Sequence, residues 1–288
     1  MASLTPLSEI PTVSLLYKLG RLQASSSATS VAPSQALNNK ISLIRTDITK
    51  LQVDSIVNAA NGSLLGGGGV DGAIHRAAGK DLLKECRTLN GCDTGSAKIT
   101  NAYNLPCKKV IHAVGPVYTS AKKSNSQTTL LQGCYRRSLQ LAAENNLSSI
   151  AFSALSTGVY GYPSDEAAEA ALDEVKRFLE SEQGKKLDRV IFCNFEAKGE
   201  EAYQSAVPRF FPPTEHDLPK GQGKSGGESL ATVLPDVPTK EPSLPGQPEA
   251  KRMKVEHHES DGDWENVEAG TYSAENGASG SKDPKGHE

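Results

Sequence analysis

No stretch of this 288-residue chain approaches the ~20 consecutive apolar residues that cross a bilayer, so the sequence predicts a soluble protein with no membrane partner. Cysteine is sparse. The five residues, Cys86, Cys92, Cys107, Cys134 and Cys193, are odd in number, form no CxxC pair and follow no secretory signal. That argues against a disulfide framework and a structural zinc site, and for reduced thiols in a nuclear or cytoplasmic compartment.

Apolar residues are also few, at 37%, and the shortage is localised. From Pro212 onward, Pro, Gly, Ser, Glu and Lys leave room only for scattered Leu and Val. Such a segment cannot bury enough surface to offset its ordering entropy, so 212–288 is read as a disordered acidic tail. It holds 8 Lys+Arg against 15 Asp+Glu, net −7, which leaves the rest of the chain at +4 beneath an overall −3. A mildly basic body suits a small anionic ligand, and +4 is too little for direct binding of duplex nucleic acid. Within the tail, Lys251, Arg252 and Lys254 in "GQPEAKRMKVE" resemble a monopartite nuclear localisation signal. Trp264 stands alone in the acidic "SDGDWENVE", and no partner is assigned to it.

Residues 1–39 read as an extension, partly helical or disordered. Their Ser-rich, acid-poor character with Lys18 and Arg21 would suit a mitochondrial transit peptide, but Glu9, Pro6 and Pro11 oppose it. A short helix near 12–23 that docks Leu15, Leu16 and Leu22 on the body is the reading preferred.

Between 40 and 211 the pattern alternates. Short β-branched runs at 41–44, 55–60, 97–100, 109–115, 149–155 and 189–195 are separated mostly by helical segments, which predicts an α/β sandwich around a central sheet. Two helices are well marked: Leu131, Cys134, Tyr135, Leu139 and Ala142 share one face, and so do Ala168, Ala171, Leu172, Val175, Phe178 and Leu179. The second follows Pro163, with Ser164 as its expected N-cap and Asp165 and Glu166 in its first turn. The strands on either side of Pro106 are too close for a crossover helix, so that pair is antiparallel and the sheet mixed.

Two loops at strand ends carry the functional signal. In "NAANGSLLGGGGVDGAIHRAAG" (58–79), four consecutive glycines cost roughly 2–4 kcal/mol of ordering relative to alanines, and they follow a buried strand and precede a helix. Bare amides at a helix N-terminus suit phosphate, at the position where open α/β sheets bind ligands. Neither G-x-x-x-x-G-K-[ST] nor G-x-G-x-x-G is present, which argues against a P-loop or dinucleotide fold. "SIAFSALSTGVYGYP" places a second such loop at the end of another strand, and two loops suggest a diphosphate held between them.

These segments, with "RTDITKLQVD", "NGCDTGSAKIT" and "LPCKKVIHAVGP", resemble the macrodomain, and within it the MacroD-type ADP-ribosyl hydrolases, over about 40–211. The resemblance implies a three-layer α/β/α fold with a cleft for ADP-ribose. Asp47 would accept from the adenine amino group with Ile48 beside it, and Phe195 would pack on the base. Ala59 and Ala60 would line the ligand. The amides of Gly66, Gly67, Gly68, Gly69 and Val70 and of Ser156, Thr157, Gly158, Val159 and Tyr160, followed by Gly161, would wrap the two phosphates.

The resemblance further implies that Asn61 and Asp71 approach the ribose bearing the modified side chain. Asn61 would bind a ribose hydroxyl, Tyr160 would close over that ribose, and Asp71 would orient or deprotonate a water, with a substrate phosphate oxygen as the rival base. Asp71 is also placed to cap the helix it opens. The implied reaction is removal of mono-ADP-ribose from Glu or Asp side chains of modified proteins, with deacetylation of O-acetyl-ADP-ribose as a second reaction, by a monomer without cofactor or metal. A non-catalytic ADP-ribose reader is the alternative. His75 and His112 read as hydrogen-bonded structural residues.

Overall fold

The alternation of apolar runs resolves into eight strands in a computed structural model that describes residues 3–25 and 31–218. They are β1 (Thr5–Pro6), β2 (Ile41–Arg45), β3 (Leu51–Gln52), β4 (Ser55–Ala59), β5 (Ser96–Asn101), β6 (Lys109–Val114), β7 (Ser149–Phe152) and β8 (Arg189–Asn194). The helices are α1 (Val13–Lys18), α2 (Gln35–Asn38), α3 (Gly69–Ala78), α4 (Lys80–Thr88), α5 (Tyr118–Lys123), α6 (Gln127–Glu144), α7 (Ser164–Leu179) and α8 (Ala197–Phe210). Six strands form one sheet in the order β2-β8-β7-β4-β6-β5. Every pair is parallel except β5 with β6, which is antiparallel.

Alternation along the central strands sends successive side chains to opposite faces. Val57, Ile111, Phe152 and Phe192 pack in one core with the apolar stripes of α6, α7 and α8. Ile56, Val110, Ala151 and Ile191 pack in the other with α3 and α4. The result is a three-layer α/β/α sandwich with a mixed sheet. Among the described residues no helix is long and apolar enough to cross a membrane.

Three local expectations need correction. Ser164 is the first residue of α7, and Pro163, which lacks a capping side chain, holds the cap position. Asp71 does not open its helix: α3 starts at Gly69 with Gly68 as the cap, and no side chain caps it. The boundary at 211 is also too early. Asn38 donates to the Pro212 carbonyl at 2.9 Å and to Asp217 at 2.8 Å, Gln35 donates to Asp217 at 2.8 Å, and Asp217 is fully buried. A lone carboxylate in a proline-bordered segment carries no local sign of these partners, which come from the N-terminal part of the chain.

That N-terminal part packs on the body. Val13, Leu16, Tyr17 and Leu22 are buried, Leu15 is half-buried, and the Tyr17 hydroxyl donates to the Phe211 carbonyl. The basic cluster at Lys251, Arg252 and Lys254 and Trp264 lie outside the described residues.

Candidate active site

The strand order sets β8, β7 and β4 side by side, so the segments leaving their carboxyl ends are neighbours, where open α/β sheets bind ligands. A cleft of about 360 Å³ opens there, within the range of small-molecule sites. Thr46, Asp47 and Ile48 after β2, Gly69, Val70 and Ala73 of α3, Thr157 and Gly158 after β7, and Phe195, Glu196 and Lys198 after β8 line it.

At one end, Asp47 caps a 3₁₀ turn (Ile48–Lys50): its Oδ1 accepts from the Thr49 N–H at 2.9 Å and the Thr49 hydroxyl at 2.7 Å. Among the described residues only Oδ1 of Asp47 is engaged this way, and Oδ2 is the oxygen left for a ligand donor. Phe195 lies one residue beyond β8, half-buried against the cleft rather than in either core.

The glycine loop needs its glycines for geometry. Gly66 and Gly69 take φ of +87° and +58°, conformations that a side chain disfavours. Gly67 is hemmed in instead: a Cβ there would stand 3.1 Å from Oδ2 of Asp71 and 3.3 Å from Nδ2 of Asn61. Asn61 and Asp71, ten positions apart, are thus brought to one point beside Gly67. The start of α3 also leaves its first amides without intrahelical acceptors, and the dipole there favours an anion.

Asn61 braces the loop. Its Nδ2 donates to the Gly66 carbonyl at 2.9 Å, and its Oδ1 accepts from the Ser63 N–H at 3.0 Å and the Ser63 hydroxyl at 2.6 Å. One amide proton remains for a ligand. Asp71 is buried at 4% exposure. Burial raises its carboxyl above the ordinary value, while a hydrogen bond from Asn58 and the neighbouring His75 pull it down.

In the second loop, Gly161 N–H donates to Gly158 and Tyr162 N–H to Ser156, both at 2.9 Å. Among the described residues these bonds close the turn without using the backbone amides of 157–160. Ser156 takes φ of +64° and is buried, Val159 is fully exposed, and Gly161 has a positive φ. Tyr160 is half-buried, and its carbonyl accepts from the Tyr118 N–H at 2.9 Å.

The cleft lies at the carboxyl ends of the central strands, and comparison with known proteins decides the family. A family model described as "Macro domain" matches residues 57–171. Over 176 residues the chain is 56% identical to ADP-ribose glycohydrolase MACROD1 of Rattus norvegicus, a match covering 61% of this chain and 67% of that protein. It is 53% identical over 170 residues to a macro domain-containing protein of Chlorobaculum tepidum, covering 59% of this chain and 96% of that one.

The chain belongs to the macro domain family. The Trypanosoma brucei macrodomain solved in complex with ADP-ribose is 41% identical, with a TM-score of 0.60, covering 72% of this chain and 78% of that one. The chain spans only 54% of the mouse and cattle MACROD1 proteins.

Not every predicted ligand residue of this macro domain lines the cleft. Asp47, Ile48, Gly69, Val70, Thr157, Gly158 and Phe195 do, whereas Asn61, Gly66, Gly67, Gly68, Asp71, Ser156, Val159, Tyr160 and Gly161 are not among its lining residues. Ala60 is instead packed in the core with its N–H on the Ala113 carbonyl at 2.9 Å, and Ala59 packs against the opposite core.

Asn58 was missed. It is fully buried, and its Nδ2 donates to Asp71 Oδ1 at 2.7 Å. An available signal was its parity: in "SIVNAA" it falls on the same face as Ile56, so a polar residue there must find a buried partner. His75 lies on α3 with Nε2 3.4 Å from Asp71 Oδ1, and Gly66 lies over its ring. The donor atoms of His75, Cys86 and His112 lie within 4.8 Å of one another. Both ring nitrogens of His112 already face hydrogen-bond partners, Asn58 at 3.1 Å and Thr100 at 3.0 Å.

Proposed function

We propose that this macro domain hydrolyses the ester joining mono-ADP-ribose to Glu or Asp side chains of modified proteins, returning free ADP-ribose and the carboxylate, and acts likewise on O-acetyl-ADP-ribose. The observation that carries this reading is the convergence of Asp71 Oδ2 and Asn61 Nδ2 on Gly67, beside the first turn of α3. The similarity to the MACROD1 glycohydrolases and to a macrodomain solved with ADP-ribose supports it.

In this reading, Asp47 and Phe195 take the adenine, and the amides of the two loops take the pyrophosphate. That anchors the proximal ribose near Asn61 and Tyr160. Fixing the ester and a water in attack geometry supplies much of the rate. The water adds to the ester while its proton passes to Asp71 Oδ2, and the bond between ribose oxygen and acyl carbon breaks, with a proton returning to the ribose oxygen. A carboxyl raised by burial is a stronger base toward water than an exposed one. We place the protein in the nucleus or cytoplasm, as a monomer that meets ADP-ribosylated proteins one at a time.

The test is release of ADP-ribose from a protein mono-ADP-ribosylated on Glu, comparing wild type with Asp71→Ala and Asn61→Ala, with ADP-ribose binding followed by calorimetry. Release that falls by about 10²–10⁴-fold in Asp71→Ala is expected. A smaller loss assigns the base to a substrate phosphate, and binding without release makes the domain a reader.

A further inference from the structure

The two oxygens of Asp71 have different surroundings. Oδ2 faces the loop beside Gly67, whereas Oδ1 accepts the Asn58 amide at 2.7 Å and lies 3.4 Å from His75 Nε2. Asn58 is fully buried, and an amide can be seated in two orientations. One presents an N–H to Asp71 and favours the ionised carboxylate. The other presents a carbonyl and repels it.

The group that decides between them is His112. Asn58 and His112 are register partners on the parallel strands β4 and β6, so their side chains leave the sheet together on the α3/α4 face. The Asn58 Nδ2 stands 3.1 Å from His112 Nδ1. With the amide seated so, its second proton points at Nδ1, and the matching neutral tautomer carries the ring proton on Nε2, 3.0 Å from the Thr100 hydroxyl and 3.7 Å from the Cys86 thiol. That hydroxyl in turn reaches the Val110 carbonyl at 3.5 Å. Burial, with His75 nearby, pushes His112 down to about 3, which favours the neutral ring.

We propose that Asn58 and His112 are positioning residues for the reaction: His112 locks the Asn58 amide so that it always donates to Asp71 Oδ1, which reserves Oδ2 for the water. The proposal rests on the hydrolase reading above. Asn58 and His112 touch no substrate and act only through Asp71. The groups facing Asp71 are Asn58 from β4, His112 from β6, His75 from its own helix, Asn61 from the loop, and Cys86 from α4, whose thiol burial pushes up to about 11.

The sign follows from the donor. Removing the Asn58 N–H takes away a bond made to the charged carboxylate, so the Asp71 carboxyl rises further, and an acid limb that reports its ionisation moves to higher pH. In Asn58→Leu the limb of kcat is expected about one pH unit higher, with turnover at a pH below the limb down about tenfold and ADP-ribose affinity within about threefold of wild type. The near-isosteric Asn58→Asp, which sets two carboxylates together, moves it further, and His112→Phe moves it in the same direction by less.

The Asp71 carboxyl is also titrated directly by carbon-13 NMR in each variant, including any with little activity. An upward move in Asn58→Asp and His112→Phe supports the relay. An unmoved Asp71 titration, or an unmoved limb with a uniform loss of rate, overturns it while leaving the hydrolase reading intact. Wild type that releases no ADP-ribose overturns the hydrolase reading, and the role in catalysis with it.

Discussion

Gly115 and Ser156 stand in close contact: a Cβ on Gly115 would lie 2.1 Å from the Ser156 Oγ and 3.4 Å from its Cβ, so the hydroxyl would have to turn out of its place. Gly115 follows β6 and Ser156 begins the second loop, so the end of one strand fixes where that loop can sit. Gly115→Ala is expected to force the Ser156 side chain out of its rotamer and press the buried start of the loop outward. Overpacking costs about 1–3 kcal/mol, and the same displacement should weaken ADP-ribose binding by about tenfold or more, a loss of at least ~1.4 kcal/mol. Calorimetry with ADP-ribose beside a thermal melt checks both. An unchanged affinity would show that the loop does not depend on this contact.

Phe195 offers the cleft a half-buried ring that joins neither core. Stacking on a base is worth about 1–3 kcal/mol. Phe195→Ala should accordingly raise the Kd for ADP-ribose by roughly 5–150-fold while leaving the melting temperature nearly unchanged. A core Phe would show the reverse, a large loss of stability with affinity retained.

Tyr118 ties α5 to both the second loop and α7. Its backbone N–H holds the Tyr160 carbonyl, its hydroxyl lies 3.0 Å from both oxygens of Glu166, and Lys122 Nζ donates to that hydroxyl at 2.8 Å. Tyr118→Phe keeps the ring and the backbone bond but cuts the hydroxyl chain. Turnover should fall by about 3–10-fold, the scale of one or two net hydrogen bonds, with KM little changed. Steady-state kinetics on the modified protein separates the two, and a change confined to KM would mean that the chain shapes binding instead.

Asp217 predicts an acid sensitivity. Burial pushes its carboxyl up, but hydrogen bonds from Ser14, Thr214, Asn38 and Gln35 outweigh that and hold it at about 2, against 3.8 for the free group. A carboxyl lowered on folding stabilises the protein above its unfolded value, and the contribution disappears as pH falls through the folded one. Wild type should therefore lose stability between about pH 4 and pH 2 through this group. Asp217→Asn should be destabilised by about 1.5–3 kcal/mol at pH 7 and lose less on acidification. Urea melts across that range test it, and equal slopes for the two proteins would remove Asp217 as a cause.

Strand positions, the two apolar helix stripes, the antiparallel β5–β6 pair and the glycine loop at a strand end were all legible in the sequence, because period and turn chemistry are local. The Asn61–Asp71 pair came instead from the resemblance to the macrodomain, which carries a role onto residues that spacing alone would not single out. Tertiary structure alone decided what surrounds them.

Asn58 and His112 are 54 positions apart, and only the parallel register of β4 with β6 sets them together on the face that Asp71 enters. Likewise Asp217 stands 203 positions from Ser14, and nothing in its own neighbourhood says that it is buried. A polar residue in an apolar strand announces that a partner must exist. Which partner, and whether it donates or accepts, is fixed only when the layers close over it.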